Sequence, residues 1–189
     1  LREQRRAIAL VHPHIVRSFD VGQDAATGAL YIATEWLAGG DASDLGSPRF
    51  SQDLAFTLGA DLFEAIAYLQ SHGLVHRDVK PENLLLAPPG RAKIAGKLAD
   101  FGISRSLRDA EIRLTADDAM AGTPLYAAPE QLLDFKWVGH TADIYGGAAT
   151  LYFLLTGASP LLLPLDSREL PHIAVYTAAL GDRRVPTAE

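Results

Sequence analysis

Apolar positions recur at helical spacing between residues 51 and 73 and predict one long helix. The apolar stripe repeats every three or four residues and comprises Leu54, Leu58, Leu62, Ile66 and Leu69. Side chains at this spacing share one face of a helix, so we expect the stripe to face the core. The helix should begin near Ser51, and Gly73 should close it in the left-handed conformation, which suits glycine.

Four shorter apolar runs predict two hairpins. Residues 15–21 and 30–36 are predicted strands joined by a turn rich in Asp, Thr and Gly. Residues 84–86 and 97–99 are predicted to form a smaller hairpin around a Pro-Pro-Gly turn. Residues 100–127 have no sustained period, and a loop of this length inside a compact domain is usually functional.

Further helices are predicted at residues 1–11, 129–134, 142–155 and 168–180. The helix predicted at 142–155 overlaps residues 144–165, a stretch without charge that is long enough on paper to span a bilayer. Its glycines and prolines, and the lack of flanking basic residues, favour a buried central helix over the membrane alternative. We expect Thr141 to cap this helix and Gly157 to end it.

The composition describes a globular protein with a core of its own. Of the 189 residues, 48% are hydrophobic and 21% are charged, which excludes a disordered chain. The formal net charge of −6 argues against binding to nucleic acid or to an acidic membrane, because phosphate-rich partners require basic patches. With no cysteine, the chain can form neither a disulfide nor a cysteine-ligated metal site.

The segment from His76 to Asn83 places three different chemical groups close together. Asp78 supplies a carboxylate, Lys80 an amine and Asn83 an amide. The carboxylate can orient a hydroxyl nucleophile and accept its proton, the amine can neutralise a phosphate oxygen, and the amide oxygen can bind a hard metal ion. The alternative is an ordinary solvated loop of polar residues, which Asp78 taken alone would favour.

Two further segments carry weaker signals. Asp100, Phe101 and Gly102 follow a short predicted strand, and a carboxylate there suits Mg²⁺, which prefers one or two carboxylates plus substrate phosphates. Residues 122–130, with the sequence GTPLYAAPE, describe a proline-bounded turn that leads into a helix. Glu130 lies near the start of that helix, where the helix dipole favours a negative charge.

Together, the three segments resemble the signature of protein kinases. They match H-R-D-x-K-x-x-N, D-F-G and A-P-E in type, order and spacing. The resemblance extends from residue 1 to about residue 180 and is to the eukaryotic-type serine/threonine kinases, in a bacterial-like branch. It implies transfer of the γ-phosphate of ATP to Ser and Thr hydroxyls of protein substrates, with Mg²⁺ as the metal.

The resemblance also implies an α+β, bilobal kinase-like fold. Residues 1–36 would form part of the small β lobe, with a regulatory helix and two strands. Residues 37–40 would be the hinge connector. Residues 41–189 would form an incomplete, mostly helical large lobe that contains the catalytic loop, the activation loop and the central helix.

Around the catalytic loop, the resemblance assigns a role to each polar residue. Asp78 looks like the aspartate that positions the substrate hydroxyl and accepts its proton, and Lys80 looks like the lysine that contacts the transferring phosphoryl group. Asn83 and Asp100 are similar to the two Mg²⁺ ligands. Asp143 resembles the aspartate of the central helix that holds the backbone of the catalytic loop.

For the nucleotide, the resemblance points to residues in the first part of the chain. Glu3 lies at the family's spacing for the helix glutamate that pairs with the ATP-anchoring lysine. Thr34 resembles the gatekeeper beside the adenine pocket, and backbone groups of Glu35 and Leu37 would bind the adenine edge. Asp41 fits a ribose contact or, equally, a helix cap.

Three residues are implicated in regulation and specificity. Arg77 resembles the arginine that binds a phosphate on the activation loop, and Thr115 is the favoured acceptor of that phosphate, which autophosphorylation could supply. An acidic loop without a switch is the alternative. Thr123 fits the position whose hydroxyl bonds the catalytic aspartate and lysine in serine/threonine kinases.

The chain starts at Leu1 within a helical pattern, so we expect it to be part of a longer protein. No glycine-rich phosphate loop and no strand lysine precede Glu3, and residues 1–189 by themselves are expected to be nearly inactive. We expect the domain to be cytoplasmic and without membrane contact of its own, with a membrane anchor elsewhere in the protein left open.

Two rival functions share features of this sequence. A pseudokinase or protein-interaction module would bind partners without transferring phosphate, and the presence of Asp78, Lys80, Asn83 and Asp100 together disfavours it. A small-molecule phosphotransferase would share the catalytic aspartate and the metal ligands, but it would lack the A-P-E segment.

Overall fold

The computed structural model describes five stretches of the chain. They are residues 10–45, 51–87, 94–100, 124–133 and 138–160. Within them lie β1 Ser18–Gln23, β2 Leu30–Thr34, α1 Gln52–Ser71, β3 Leu84–Ala87, β4 Ala95–Leu98, α2 Pro129–Leu133 and α3 His140–Thr156. Short 3-10 turns lie at Ala42–Leu45, Pro81–Asn83 and Pro124–Tyr126. Helices beside antiparallel hairpins confirm the predicted α+β class.

The first hairpin is shorter than its apolar runs predict. β1 pairs with β2 in antiparallel register, with Gln23 opposite Leu30 and Ser18 opposite Thr34. Beyond Thr34 the chain leaves the sheet, so the predicted strand 30–36 ends two residues early.

The first residues of the predicted strand 15–21 contact the other hairpin. Ile15 forms a parallel bridge with Leu98 of β4, and the Val16 N–H donates to the Leu98 carbonyl at 2.9 Å. Ile15 is buried, whereas β1 itself is mostly exposed. The prediction of one continuous strand was therefore wrong, because an apolar run does not reveal which strand it will pair with.

The second hairpin confirms its prediction and supports the connector. β3 and β4 pair over their whole lengths, while the intervening residues 88–93 lie outside the described part of the chain. The Leu86 N–H donates to the Gly40 carbonyl at 2.9 Å, so the end of the predicted connector 37–40 lies along β3. The division into two lobes at this connector stays a prediction.

Helix α1 forms as its apolar stripe predicts. The Ser51 side chain accepts a hydrogen bond from the Leu54 N–H at 3.3 Å and caps the first turn. Gly73 follows the helix with a φ of +67°, which confirms the predicted left-handed end. The buried residues of the helix are Ala55, Leu58, Gly59, Leu62, Ala65, Ile66 and Leu69. This face packs against β4 and α3 and forms the centre of the core.

Helix α3 occupies the uncharged stretch and packs against α1. It begins after Gly139, so the predicted cap at Thr141 was wrong; the Thr141 hydroxyl instead donates to Glu130 Oε1 at 3.0 Å. Gly157 ends the helix with a φ of +72°, as predicted, and its N–H donates to the Phe153 carbonyl at 2.7 Å. Among the helices that the structure describes, none is long and apolar enough to cross a membrane.

The remaining predicted helices are covered only in part. α2 confirms the helix predicted at 129–134 to within one residue. The predicted helix 168–180, and nearly all of the one at 1–11, lie outside the described residues.

Two adjacent glycines let α3 approach its neighbours closely. A Cβ atom on Gly146 would lie 2.7 Å from the Val79 carbonyl oxygen, which belongs to the backbone of the catalytic loop. A Cβ atom on Gly147 would lie 2.9 Å from Phe63 Cε1 and 3.0 Å from Ile66 Cδ1, the far ends of two side chains. The first contact cannot relax without moving backbone, but the second can relax by small side-chain shifts.

The two glycines give a matched test of this packing. We expect Gly146→Ala to lower the free energy of unfolding by a net ~1–2 kcal/mol, because overpacking against backbone exceeds the gain in helix propensity. Gly147→Ala should be close to neutral, since the same gain of ~1 kcal/mol offsets a milder clash. Thermal and urea unfolding of both variants measures the difference, and equal destabilisation would contradict the assignment of Gly146 to the loop contact.

Candidate active site

The catalytic loop begins at His76, whose ring is buried between the loop and β4. The side chain is 1% exposed, and its Nδ1 accepts a hydrogen bond from the Asp78 N–H at 3.2 Å. Because Nδ1 is the acceptor, Nε2 carries the proton and donates to the Ala99 carbonyl at 2.7 Å. His76 thus links the catalytic loop to the residue before Asp100.

Asp143 holds the backbone of the catalytic loop through two hydrogen bonds. Its carboxylate is 1% exposed and accepts the His76 N–H at Oδ2 and the Arg77 N–H at Oδ1, both at 2.7 Å. It lies in the first turn of α3, where the helix dipole favours a negative charge. These two bonds confirm the predicted role of Asp143. Arg77 is held with a φ of +68°, a conformation that residues other than glycine seldom adopt.

Two predicted site residues, Lys80 and Asn83, contact the Asp78 carboxylate. Lys80 Nζ lies 3.0 Å from Asp78 Oδ2, and Asn83 Nδ2 lies 3.1 Å from the same oxygen. Asn83 Nδ2 also donates to the Asp78 carbonyl at 2.7 Å. The Asp78 side chain is 43% exposed, so the carboxylate is accessible to a substrate while its orientation is fixed from one side.

The two predicted metal ligands are brought together by the second hairpin. Asn83 is buried and accepts the Ala99 N–H at its backbone carbonyl at 2.8 Å, and Asp100 is the next residue along the chain. The Asn83 amide nitrogen bonds Asp78, so the amide oxygen is the atom of this side chain that could bind a metal ion. Asp100 is exposed and has a φ of +57°. An amide oxygen beside an exposed carboxylate fits Mg²⁺, which takes its other ligands from water and phosphate.

Glu35, two residues before the predicted hinge connector, is fixed by three hydrogen bonds. Its N–H donates to the Arg17 carbonyl at 2.9 Å, and its Oε1 accepts the Arg17 N–H at 2.8 Å and Lys97 Nζ at 2.7 Å. Burial raises the pKa of the Glu35 carboxyl, but the bonds from Lys97 and Arg17 outweigh it and bring the pKa below its ordinary value of 4.5. Since the Glu35 N–H is engaged, its carbonyl is the group left for an adenine.

The other predicted nucleotide residues lie beside Glu35 and β3. Thr34 is exposed at the end of β2, and Leu37 is half-buried. Asp41 bridges to Leu85 of β3, and its Oδ1 accepts the Ser43 N–H at 2.8 Å. The helix-cap role of Asp41 is thereby confirmed, and a ribose contact stays a prediction.

Several predicted positions cannot be placed. Glu3, Phe101, Thr115 and Thr123 lie outside the described residues, and the roles of Glu3, Thr115 and Thr123 stay predictions. Within the described part of the chain, no group of three His, Cys, Asp or Glu side chains could hold a metal ion.

Sequence reasoning missed two residues of the site. Lys97 pairs with Glu35 across 62 positions of sequence. The sequence signal that could have identified it was a charged residue inside a predicted strand. Gln131 is 5% exposed and connects α2 to the Arg77 carbonyl at 2.8 Å. A buried glutamine directly after A-P-E has no periodic signal, because its partners lie far away in sequence.

The segment before α2 packs against the same loop. Tyr126 is buried and stands edge-on to Phe153 of α3, with ring centroids 6.3 Å apart. Burial, together with the nearby charge of Glu82, raises the pKa of Tyr126 to about 12. Tyr126 is therefore neutral at physiological pH.

Comparison with known proteins decides the family, since residues 1–175 match the protein kinase domain. The chain belongs to the protein kinase domain family. The serine/threonine-protein kinase PknF of Mycobacterium tuberculosis is 36% identical over 187 residues, which is 96% of this kinase domain chain and 38% of PknF. The serine/threonine-protein kinase CG17528 of Drosophila melanogaster is 37% identical over 163 residues, or 85% of the chain and 21% of that protein.

A solved structure agrees with this assignment. The crystal structure of Rad53 1-466 in complex with AMP-PNP matches with a TM-score of 0.68 and 25% identity, over 96% of this chain and 44% of that one. The kinase domain chain thus spans less than half the length of each of these relatives. The predicted kinase resemblance is confirmed, while its bacterial-like branch stays a prediction because bacterial and insect kinases match to a similar degree.

The Glu35–Lys97 pair predicts a pH-dependent contribution to stability. Because the folded pKa of Glu35 is below 4.5, the stabilisation is complete above that value and is lost as the pH falls through the folded pKa. Both side chains are partly exposed, so we expect Lys97→Met to lower the free energy of unfolding by only about 1 kcal/mol at pH 7. Urea unfolding at pH 7 and in acid should show this difference shrinking in acid.

The control for this pair is a double-mutant cycle with Glu35→Gln. If the pair accounts for the effect, the two substitutions together should cost less than the sum of their separate effects at pH 7. Strict additivity at pH 7, or a difference that grows in acid, would show that Lys97 acts through other contacts.

Proposed function

We propose that the protein containing this chain is a serine/threonine protein kinase, which transfers the γ-phosphate of ATP to Ser and Thr hydroxyls of protein substrates. One observation carries the proposal: the Asp78 carboxylate is exposed and is oriented by Lys80 and Asn83 at 3.0 and 3.1 Å. Membership of the kinase family and the names of the relatives support it. A pseudokinase would have no need of this arrangement.

In the proposed reaction, Asp78 accepts the proton of the attacking hydroxyl. The hydroxyl oxygen forms a bond to the γ-phosphorus as the bond from that phosphorus to the bridging oxygen of ADP breaks. Lys80 lies against Asp78 and contributes a positive charge beside the transferring phosphoryl group. The hydrogen bonds to Asp78 hold the carboxylate in place before the substrate arrives, which lowers the reorganisation needed in the transition state.

The nucleotide is proposed to bind between the connector and the second hairpin. Adenine would bond the Glu35 carbonyl and the backbone of Leu37, with Thr34 as the gatekeeper and Asp41 near the ribose. The binding of AMP-PNP by Rad53 supports this assignment to ATP. In the complete protein, Glu3 would pair with the lysine that anchors the phosphates.

Asn83 and Asp100 are proposed to hold Mg²⁺. The ion, when bound, neutralises the negative charge of the ATP phosphates. The two residues contribute an amide oxygen and a carboxylate, both hard ligands that suit this ion.

The proposed phosphate transfer also requires ATP, and we therefore propose that the domain acts in the cytoplasm.

Replacement of the proposed base tests the function directly. We expect Asp78→Asn to reduce phosphate transfer by roughly 10²–10⁴-fold, because the amide cannot accept the proton. The assay scores phosphoserine and phosphothreonine by mass spectrometry in the full-length gene product with Mg²⁺-ATP. Asp44→Asn, on an exposed residue, is the matched control and should leave the rate unchanged. Equal silence of the folded wild type and Asp78→Asn would favour the pseudokinase instead.

Regulation by the activation loop is proposed to act through Arg77 and Thr115. Arg77 is exposed and precedes Asp78, so a phosphate paired with its guanidinium would lie near the base. Thr123 is proposed to bond Asp78 and Lys80 from the same loop. Autophosphorylation of Thr115 would supply the phosphate.

The switch can be tested at Thr115 itself. We expect Thr115→Ala to hold the protein at the low activity of phosphatase-treated wild type, because the guanidinium of Arg77 then has no phosphate to bind. Kinase assays before and after phosphatase treatment measure this. Full activity of Thr115→Ala would rule out Thr115 as the switch.

A further inference from the structure

Gln131 connects two segments that the proposed reaction requires. Its side chain is 5% exposed, its Oε1 accepts the Ala128 N–H at 3.0 Å, and its Nε2 donates to the Arg77 carbonyl at 2.8 Å. Ala128 lies in the A-P-E segment and Arg77 in the catalytic loop. One buried amide therefore bonds both segments, and it lies 54 positions from Arg77 in sequence.

The Arg77 carbonyl belongs to the peptide bond that leads into Asp78. Arg77 has a φ of +68°, which persists in a non-glycine residue only where the surroundings enforce it. On the N-terminal side, Asp143 Oδ1 accepts the Arg77 N–H at 2.7 Å. On the C-terminal side, Gln131 holds the Arg77 carbonyl. The two buried side chains thus restrain the strained residue from both directions.

The glutamine amide satisfies both partners of this position at once. The Ala128 N–H requires an acceptor, and the Arg77 carbonyl requires a donor. An ionised carboxylate would keep the first bond but place its other oxygen against the Arg77 carbonyl oxygen, and an apolar side chain would leave both backbone groups unpaired out of water. The arrangement therefore favours a side chain with both an acceptor and a donor, as glutamine has.

We propose that Gln131 is a positioning residue for phosphate transfer, which fixes the peptide bond between Arg77 and Asp78 and so aims the Asp78 carboxylate. The inference rests on the proposed kinase function. It also gives the A-P-E segment a direct route to the base, because any movement of Ala128 shifts the amide that holds the Arg77 carbonyl. No contact between Gln131 and the nucleotide is involved.

The first test is Gln131→Met in the full-length gene product, which removes both hydrogen bonds at nearly constant volume. We expect kcat to fall by about tenfold or more, because a buried hydrogen bond that stabilises the transition state is lost. The KM for ATP should stay within about twofold of the wild-type value. Gln70→Met, on an exposed face of α1, is the matched control and should leave kcat unchanged.

The second variant is Gln131→Glu, which keeps the acceptor for Ala128 and changes only the group that faces Arg77. Burial raises the pKa of such a carboxyl, and its protonated form can donate to the Arg77 carbonyl as the amide does. We therefore expect its kcat relative to wild type to recover as the pH falls from about 8.5 to about 6. A purely structural role would change the melting temperature without this recovery.

The outcomes separate this inference from the proposed function. A fall in kcat for Gln131→Met with acid recovery of Gln131→Glu supports positioning by the amide. If Gln131→Met does not fold, the pH profile of Gln131→Glu decides. An active wild type with kcat unchanged in both variants overturns the role of Gln131 and leaves the kinase function standing. A wild type as silent as Asp78→Asn overturns both.

Discussion

The carboxylate of Asp143 accepts two successive backbone N–H groups, those of His76 and Arg77, and these bonds hold the catalytic loop on α3. Since the carboxylate is 1% exposed, the bonds form out of water, where an unpaired charge would be strongly unfavourable. The loop and the helix are therefore mutually dependent. Gly146, one turn further along α3, completes the contact by giving the Val79 backbone room to approach.

The hairpin of β3 and β4 relates this loop to the rest of the site. β3 starts directly after Asn83, and β4 ends one residue before Ala99, so the pairing of the strands brings the predicted metal ligands together. The same hairpin contacts the hinge connector at Gly40, and Lys97 of β4 pairs with Glu35, just before the connector. A short antiparallel pair can fix the relative positions of these segments because its register prevents one strand from sliding along the other.

Local patterns predicted most elements of the fold but not their partners. The stripe of α1 and its glycine end are properties of neighbouring residues, and both predictions were correct. The prediction of one strand over residues 15–21 was wrong because Ile15 pairs with Leu98, more than eighty residues away, whereas Ser18 pairs with Thr34. The prediction that Thr141 caps α3 was wrong because its hydroxyl donates to Glu130, a partner that no local sequence rule identifies.

By itself, the sequence determined the family, because the motifs that contain Asp78, Lys80, Asn83 and Asp100 stand in the family's order along the chain. The catalytic and metal-binding roles of these residues stay predictions. Only the tertiary structure decided how they are held. The roles of Lys97 and Gln131 depend on hydrogen bonds between residues 62 and 54 positions apart. A buried polar side chain is defined by the partners that satisfy it, and folding alone brings those partners within reach.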